Sequence, residues 1–409
     1  MNDVNEVPPP RSALWTAYAT GALANGMTDM FAVVVPLWAY SIGMSPTEIG
    51  LIVGARGILP MIFGIHMGAL IDRLGSRRVL MTVALTASLL SLLYPLSPWF
   101  WTLFVLQMIV GLGTVTGFIC GTAMVGQLAQ GDTQRFAHFT FFSRFGTFSG
   151  PILTGILWDL AGPWGAFSFI AIWGGSLFAL ACLSPTRPPA PGEVPRKPRL
   201  SDLIPRSSDY INSFALLGIP AVALAISITL LRSTTSGIQD SFYIVHLNSI
   251  GLTGTIIGIL VSAAEISSGL GSLTAAKIES FLSPHWILIW FSLLAILFIT
   301  VTPMISGFIA LLFVFQGLRG LCQGVMQPVG FSILSEAAGP GAQGAVMGLR
   351  MTGTRFMNTI LPPIMGITVE HWGIEAGFYL VGAVLSVILL LLALVIARSP
   401  LFSSKRENF

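Results

Sequence analysis

Gly68-Ala69-Leu70-Ile71-Asp72-Arg73-Leu74-Gly75-Ser76-Arg77-Arg78 sets one acid and three bases between two long apolar stretches. The flanking segments, 47–70 and 79–98, read as helices long enough to cross a bilayer, so the charged stretch is the turn between two crossings. Outward from this turn the same pattern recurs. Apolar runs predict spans at 13–40, 47–70, 79–98, 101–129, 136–160 and 163–183, then at 213–246, 255–276, 285–305, 308–336, 342–368 and 374–397. Of the 409 residues 54% are hydrophobic and only 9% charged, where a soluble domain carries about 25% charged. That composition excludes a soluble enzyme, a nucleic-acid-binding module and a disordered chain. Cys120, Cys182 and Cys322 all fall in apolar runs, which predicts free thiols rather than a disulfide framework.

The proline-rich stretch 184–212 carries Arg187, Arg196, Lys197, Arg199 and Arg206 and has no apolar face to bury. It divides the chain into a tail (1–12), a first six-helix bundle (13–183), a linker (184–212), a second six-helix bundle (213–397) and a second tail (398–409). With an even number of spans, Arg11, Arg73, Arg77, Arg78, Arg135, the linker cluster, Lys277, Arg398, Lys405 and Arg406 share one side of the membrane. The opposite loops hold acids such as Glu48, Asp159, Glu370 and Glu375, and no Lys or Arg. The positive-inside rule therefore places both tails and the linker in the cytoplasm, in a multi-pass protein of the cell (inner) membrane. The start of the chain has no basic region or small-residue cleavage site of a signal peptide.

The two sets of spans repeat. Ser41-Ile42-Gly43-Met44-Ser45 matches Ser249-Ile250-Gly251-Leu252-Thr253 at an offset of 208, with Gly50 on Gly258. Phe104-Val105-Leu106-Gln107 matches Phe313-Val314-Phe315-Gln316 at 209, and Arg144-Phe145 matches Arg355-Phe356 at 211, with Pro151 on Pro362 and Gly155 on Gly366. Three matches in order, drifting by three residues, indicate a duplicated six-helix unit. Parallel repeats about an axis along the membrane normal are a transporter plan in which substrate sits near the midplane.

The opening loop resembles the signature G-x-L-x-D-R-x-G-R-[RK] of the major facilitator superfamily, with Ser76 at one arginine position. The resemblance implies an all-α fold of 12 transmembrane helices in two pseudo-symmetric bundles. It also implies a gating role for Gly68, Asp72, Arg73, Gly75, Arg77 and Arg78, where Gly68 lets helices close and Asp72 meets the positive end of a neighbouring helix. Gln107-x-x-x-Gly111-x-Gly113 is similar to a family motif that usually begins with arginine. Gly146-x-x-x-Gly150-Pro151-x-x-Thr154-Gly155 resembles the antiporter motif, with Thr154 for one glycine. That likeness implies that Gly146, Gly150 and Pro151 bend and thin their helix so the halves seal on the outer side. Pro36 in the first span likewise resembles twelve-helix drug:proton antiporters.

Ionisable residues inside a span normally face a cavity or a partner. Six arginines, Arg56, Arg144, Arg232, Arg319, Arg350 and Arg355, stand against Asp29, Asp240 and Glu265. The positive excess suits a substrate with carboxylate or phosphate groups, which guanidinium forks bind bidentately. Arg56, Arg144, Arg355 and Arg232, with Gln107 and Gln316, are the substrate-binding candidates; internal pairing with the acids is the alternative, as for Arg56 beside the repeat position of Glu265. Arg319 is expected in a structural pair and Arg350 to reach water by snorkelling. Asp29 and Glu265 are the proton-coupling candidates, because desolvation raises a carboxyl pKa, a nearby arginine lowers it, and alternating access can toggle between those environments.

These features predict export of a small amphipathic or anionic organic compound in antiport with protons. The alternatives are uptake or exchange of an organic anion such as a carboxylate or siderophore, and a transporter-derived receptor or scaffold. No P-loop, metal-ligand spacing or nucleophile motif is present, so neither an enzyme nor a cofactor is expected. The expected partners are a small-molecule substrate, protons and the lipid bilayer, without nucleic acid, and a monomer suffices.

Overall fold

The computed structural model describes residues 11–129, 133–183, 214–338 and 343–398. The predicted linker and both tails lie almost wholly outside them. The described residues form thirteen α-helices and no strand: α1 (Arg11–Ser41), α2 (Pro46–Leu74), α3 (Ser76–Ser91), α4 (Phe100–Ala129), α5 (Thr133–Leu183), α6 (Pro220–Ile238), α7 (Ile244–Ser249), α8 (Gly254–Glu279), α9 (Pro284–Thr300), α10 (Thr302–Ile305), α11 (Ile309–Ala338), α12 (Gln343–Trp372) and α13 (Ile374–Arg398). Every predicted span overlaps one of them. Two expectations change in detail. Spans five and six run on as one 51-residue helix, α5, broken only at Ala161 and Gly162, where Gly162 has φ 61°. A π-helical turn, Gln239–Tyr243, links α6 to α7 within the seventh.

Among the described residues seven helices are apolar and long enough to span a bilayer by those criteria alone, and one of them, His138–Leu183, covers two of the predicted crossings. The others are shorter or more polar for a structural reason. With 16 residues α3 is brief, and α12 carries Arg350, Arg355, Asn358 and two prolines, Pro362 and Pro363.

Local chemistry sets the helix ends twice over. Ser45 caps α2 in a capping box: its hydroxyl accepts from the Glu48 amide at 3.3 Å, and the Glu48 carboxylate accepts from the Ser45 amide at 2.9 Å. Thr253, its repeat mate, caps α8 by accepting from the Ile256 amide. The preceding turns each need a glycine with positive φ, Gly43 (79°) and Gly251 (88°). The turn between the signature loop and α3 uses a third, Gly75 (85°).

Helices α1–α5 pack into one bundle and α6–α13 into a second. Between bundles the main contacts are α2 with α12 and α5 with α8. These contacts concentrate at one end. Gly50 of α2 lies against the Pro362 carbonyl so closely that a Cβ has no room, and Gly258 of α8 lies likewise against Pro151. Gly366 against Pro46 and Gly155 against Gly254 form the next layer. Each contact maps onto its counterpart by the sequence repeat, so the seal is twofold pseudo-symmetric. At the opposite end Gly64 and Gly68 of α2 and Gly269 of α8 have nothing within 4 Å of where a Cβ would stand. The bundles are thus closed at one end and parted at the end that carries the signature loop.

Candidate functional site

A cavity of about 300 Å³ lies between the bundles. From the first bundle come Asn25 of α1, Phe118 of α4, and Phe139, Thr140, Ser143, Arg144 and Thr147 of α5. The second supplies Arg232 and Ser236 of α6, Glu265 and Ser268 of α8, and Gln323 and Gln327 of α11. All but the two phenylalanines are polar. The helix periodicity explains the set: Ser143 and Thr147, like Arg232 and Ser236, are one turn apart and share a face.

Two ion pairs cross between the bundles. Arg144 donates to the Glu265 carboxylate at 2.7 Å and to the Gln327 side-chain oxygen at 3.1 Å. Arg56 of α2 donates to Asp240 at 2.6 Å and to the Thr28 carbonyl at 3.1 Å. The pairing suggested by the repeat, Arg56 with Glu265, is therefore replaced. Asp240 sits in the π turn, where the extra residue per turn changes which face its side chain takes. Asp29 of α1 is half-buried, within electrostatic reach of Glu265, Asp240, Arg56 and Arg144. It makes no hydrogen bond or ion pair among the described residues. Its place is one helical turn from Asn25, which lines the cavity.

Of the substrate-binding candidates, the structure brings Arg144 and Arg232 to the cavity. Arg56 and Arg355 border a separate recess of about 10 Å³ with Asp240 and Asn358. Gln107 is buried in the first bundle and accepts from the Tyr94 hydroxyl at 3.3 Å. Gln316 is buried in the second, donating to Gln239 at 2.8 Å and accepting from Arg319 at 3.1 Å. Neither glutamine lines the cavity, because both point into the packed interior of their own bundle. Arg319 is only 1% exposed and has that glutamine rather than an acid as partner among the described residues. Arg350 does not snorkel. Its guanidinium stands 4.1 Å from the centre of the Phe331 ring.

The gating candidates divide. Gly68 and Asp72 lie near the parted end of α2, the Asp72 side chain being outside the described residues. Arg77 donates to the Cys182 carbonyl at 2.6 Å and so ties the signature loop to the end of α5 in its own bundle. Arg73 is half-buried and Arg78 exposed. Gly146 and Gly150 pack against α1, at Ala22 and Gly26, and not against the other bundle. The cross-bundle seal falls instead to Pro151 and Gly155, one face further along.

Sequence reasoning missed the outermost layer of the seal. The Asp159 carboxylate at the end of the first stretch of α5 accepts from the amides of Gly254 and Thr255, both at 2.7 Å, and from the Thr255 hydroxyl at 2.6 Å. Glu370, at the sealed end of α12, accepts from the Thr47 amide at 3.1 Å. Each acid thus holds the positive first turn of a helix in the other bundle. The signal was present: Asp159 and Glu370 are separated by the same 211 residues as Arg144 and Arg355.

Paired bundles, a polar cavity between them and a seal at one end define a membrane transporter. The Major Facilitator Superfamily matches the chain over residues 14–238 and 221–408, and the chain belongs to it. A Tetracycline resistance protein, class H, of Pasteurella multocida is 30% identical over 138 residues, 34% of each chain. The matched stretch spans about a third of that relative's length. Among solved structures, the nucleoside transporter NupG superposes with a TM-score of 0.75 over 93% of this chain and 99% of its own, at 13% identity. A bacterial homolog of the human lysosomal transporter Spinster, inward-facing and unoccupied, gives 0.74 over 95% and 97%, at 12% identity. The structural likenesses show the fold, and the family match points to a transporter.

Proposed function

We propose that this chain is a secondary active transporter that exports a small polar organic compound carrying an anionic group, in exchange for protons. The observation that carries the reading is the cavity itself, sealed at the acid-rich end and parted at the basic end. With the positive-inside rule, the parted end faces the cytoplasm of a cell whose inner membrane holds the protein. Eleven of the thirteen lining residues are polar, which favours a polar substrate over an apolar drug. Arg144 and Arg232 against Glu265 leave the wall net positive.

The ion pairs supply the coupling. Arg144–Glu265 and Arg56–Asp240 tie the bundles together near the midplane. Protonating an acid removes the charge that holds its arginine, so the bundles can part on the outer side and close on the inner. Asp29 makes no ion pair among the described residues but lies within electrostatic reach of both pairs, so its charge weighs on the arginines of each. The tetracycline resistance relative and the antiporter-like Gly146–Gly155 stretch support export, whereas the positive wall also fits uptake or exchange of an organic anion.

The test uses purified protein in liposomes holding a pH-sensitive dye, screened against tetracycline, nucleosides, peptides, carboxylates and siderophores. Substrate-dependent proton movement is expected, and Asp29→Asn or Glu265→Gln is expected to reduce it by about tenfold or more. Substrate flux without proton movement, unchanged in both variants, would replace antiport with exchange or uniport.

A further inference from the structure

Among the described residues three of the six intramembrane arginines have side-chain partners: Arg56 and Arg144 have their acids, and Arg319 is bonded to Gln316 in the bundle interior. Arg355 borders the recess of Arg56 and Asp240, its Nε buried without a hydrogen-bond partner. Arg232 and Arg350 remain. They come from different helices, α6 and α12, and border one small recess with Thr229 and Gln327 over an apolar floor of Ile228, Leu288, Met326 and Gly330. Among the described residues neither makes an ion pair. The Nε of Arg350 is buried without a hydrogen-bond partner, and the Phe331 ring under its guanidinium fixes the plane of the fork.

Two like charges side by side over an apolar floor repel each other; Glu265 reaches Arg232 electrostatically from the cavity, and among the described residues no acid does the same for Arg350. The recess measures about 10 Å³, space for one water-sized group and no more. Arg232 and Gln327 line both this recess and the main cavity. A ligand can therefore set one oxygen of an anionic group in the recess while the rest of the group and its body occupy the cavity beside Phe118 and Phe139. Gln327 also accepts from Arg144, so the recess lies one side chain from the ion pair that bridges the bundles.

We propose that Arg232 and Arg350 form an oxyanion subsite that receives one oxygen of the carboxylate or phosphate group of the transported compound. The assignment rests on the transporter reading above and names the chemistry of its substrate. Arg350 contributes a planar fork already aligned by Phe331, Arg232 a second fork from across the recess, and Gln327 relays occupancy to Arg144.

Titration calorimetry on the purified full chain tests it, with benzoate, phenyl phosphate and the neutral isostere benzamide as probes. Benzoate, phenyl phosphate or both are expected to bind saturably and benzamide not; which anion binds tighter separates a carboxylate substrate from a phosphorylated one. Arg350→Gln and Arg232→Gln are each expected to weaken anion binding about tenfold or more. Arg350→Lys, which keeps the charge without the fork, is expected to fall between the wild-type chain and Arg350→Gln, and it carries the test if a glutamine variant does not fold. Equal binding of benzamide and benzoate, no binding of either anion, or unchanged anion affinity in both Arg350 variants would overturn the subsite. If the titrations fail while proton-coupled transport persists, the subsite is wrong and the transporter stands. Anion binding without any transport would have the reverse meaning.

Discussion

At the closed end, Asp159 and Glu370 hold equivalent positions in the two bundles, yet they grip their partner helices differently. Asp159 accepts three hydrogen bonds from the start of α8, two from backbone amides and one from a hydroxyl. Glu370 is held at the start of α2 by Thr47 alone, accepting from its amide at the longer distance of 3.1 Å and interacting with its hydroxyl. The cause is legible in one substitution between the repeats. Where α8 begins with Gly254, which donates its amide to Asp159, α2 begins with Pro46, which has no N–H to give. The proline improves the helix start and removes half of the docking site for the opposing acid. The duplicated seal therefore has a strong side and a weak side.

The layer beneath is symmetric, and breaking it should have the largest effect. Gly258→Leu or Gly50→Leu drives a side chain into the Pro151 or Pro362 backbone. We expect a loss of transport of roughly 10- to 100-fold, with a comparable effect from either side. The accompanying readout is a cysteine at Ser236, in the cavity, in a chain without Cys120, Cys182 and Cys322. An impermeant maleimide added outside should label it faster in both glycine variants. A strong effect from one glycine alone would show that the deeper layer is asymmetric too.

The outer layer should then separate the two sides. Asp159→Ala removes three bonds and is expected to raise outside labelling of that cysteine by about 5- to 30-fold, corresponding to roughly 1–2 kcal/mol. Glu370→Gln should raise it by less than about threefold. If the two acids weigh equally, the number of amides they face does not set the strength of the seal.

The smallest effect is a pH dependence. The Thr47 hydroxyl and amide hold the Glu370 carboxyl below its usual range. A lowered pKa in the sealed state means that the contribution is complete above the ordinary glutamate value and is lost as external pH falls through the lowered one. Outside labelling of the wild-type chain should therefore rise modestly in acid, and Glu370→Gln should abolish the Glu370 component. An identical acid response in the variant would assign it to another group.

The architecture was readable because it rests on patterns that survive in one dimension: apolar runs, caps such as Ser45-x-x-Glu48, and a repeat whose offset drifts by only three residues. The signature loop resolved the family, and the repeat paired Gly50 with Gly258 and Pro151 with Pro362, residues that meet crosswise at the seal. Site details were less accessible. Arg56 pairs with Asp240 rather than near Glu265 because a π turn, which leaves no mark in the apolar pattern, rotates the end of the seventh span. Gln107 and Gln316 resemble pore-lining positions by motif, but their side chains satisfy each bundle's interior. Arg350 looked close enough to the surface to reach water, and only the fold places Phe331 beneath it. Asp159 and Glu370 were visible as outer acids without a basic partner. Their true partners are backbone amides, which no sequence pattern displays.

Alternation between the sealed and the parted end is the central claim, and paired distances test it most directly. Spin labels at Ser41 and Ser249, exposed repeat mates at the sealed end, report one end. Labels at Thr82 and Ser280, exposed on α3 and at the end of α8, report the other. Gly258→Leu should lengthen the first distance and shorten the second together, as two exchanging populations seen by pulsed dipolar spectroscopy. If the outer pair separates while the inner pair stays apart, the bundles do not rock about the central ion pairs and the alternating-access account fails.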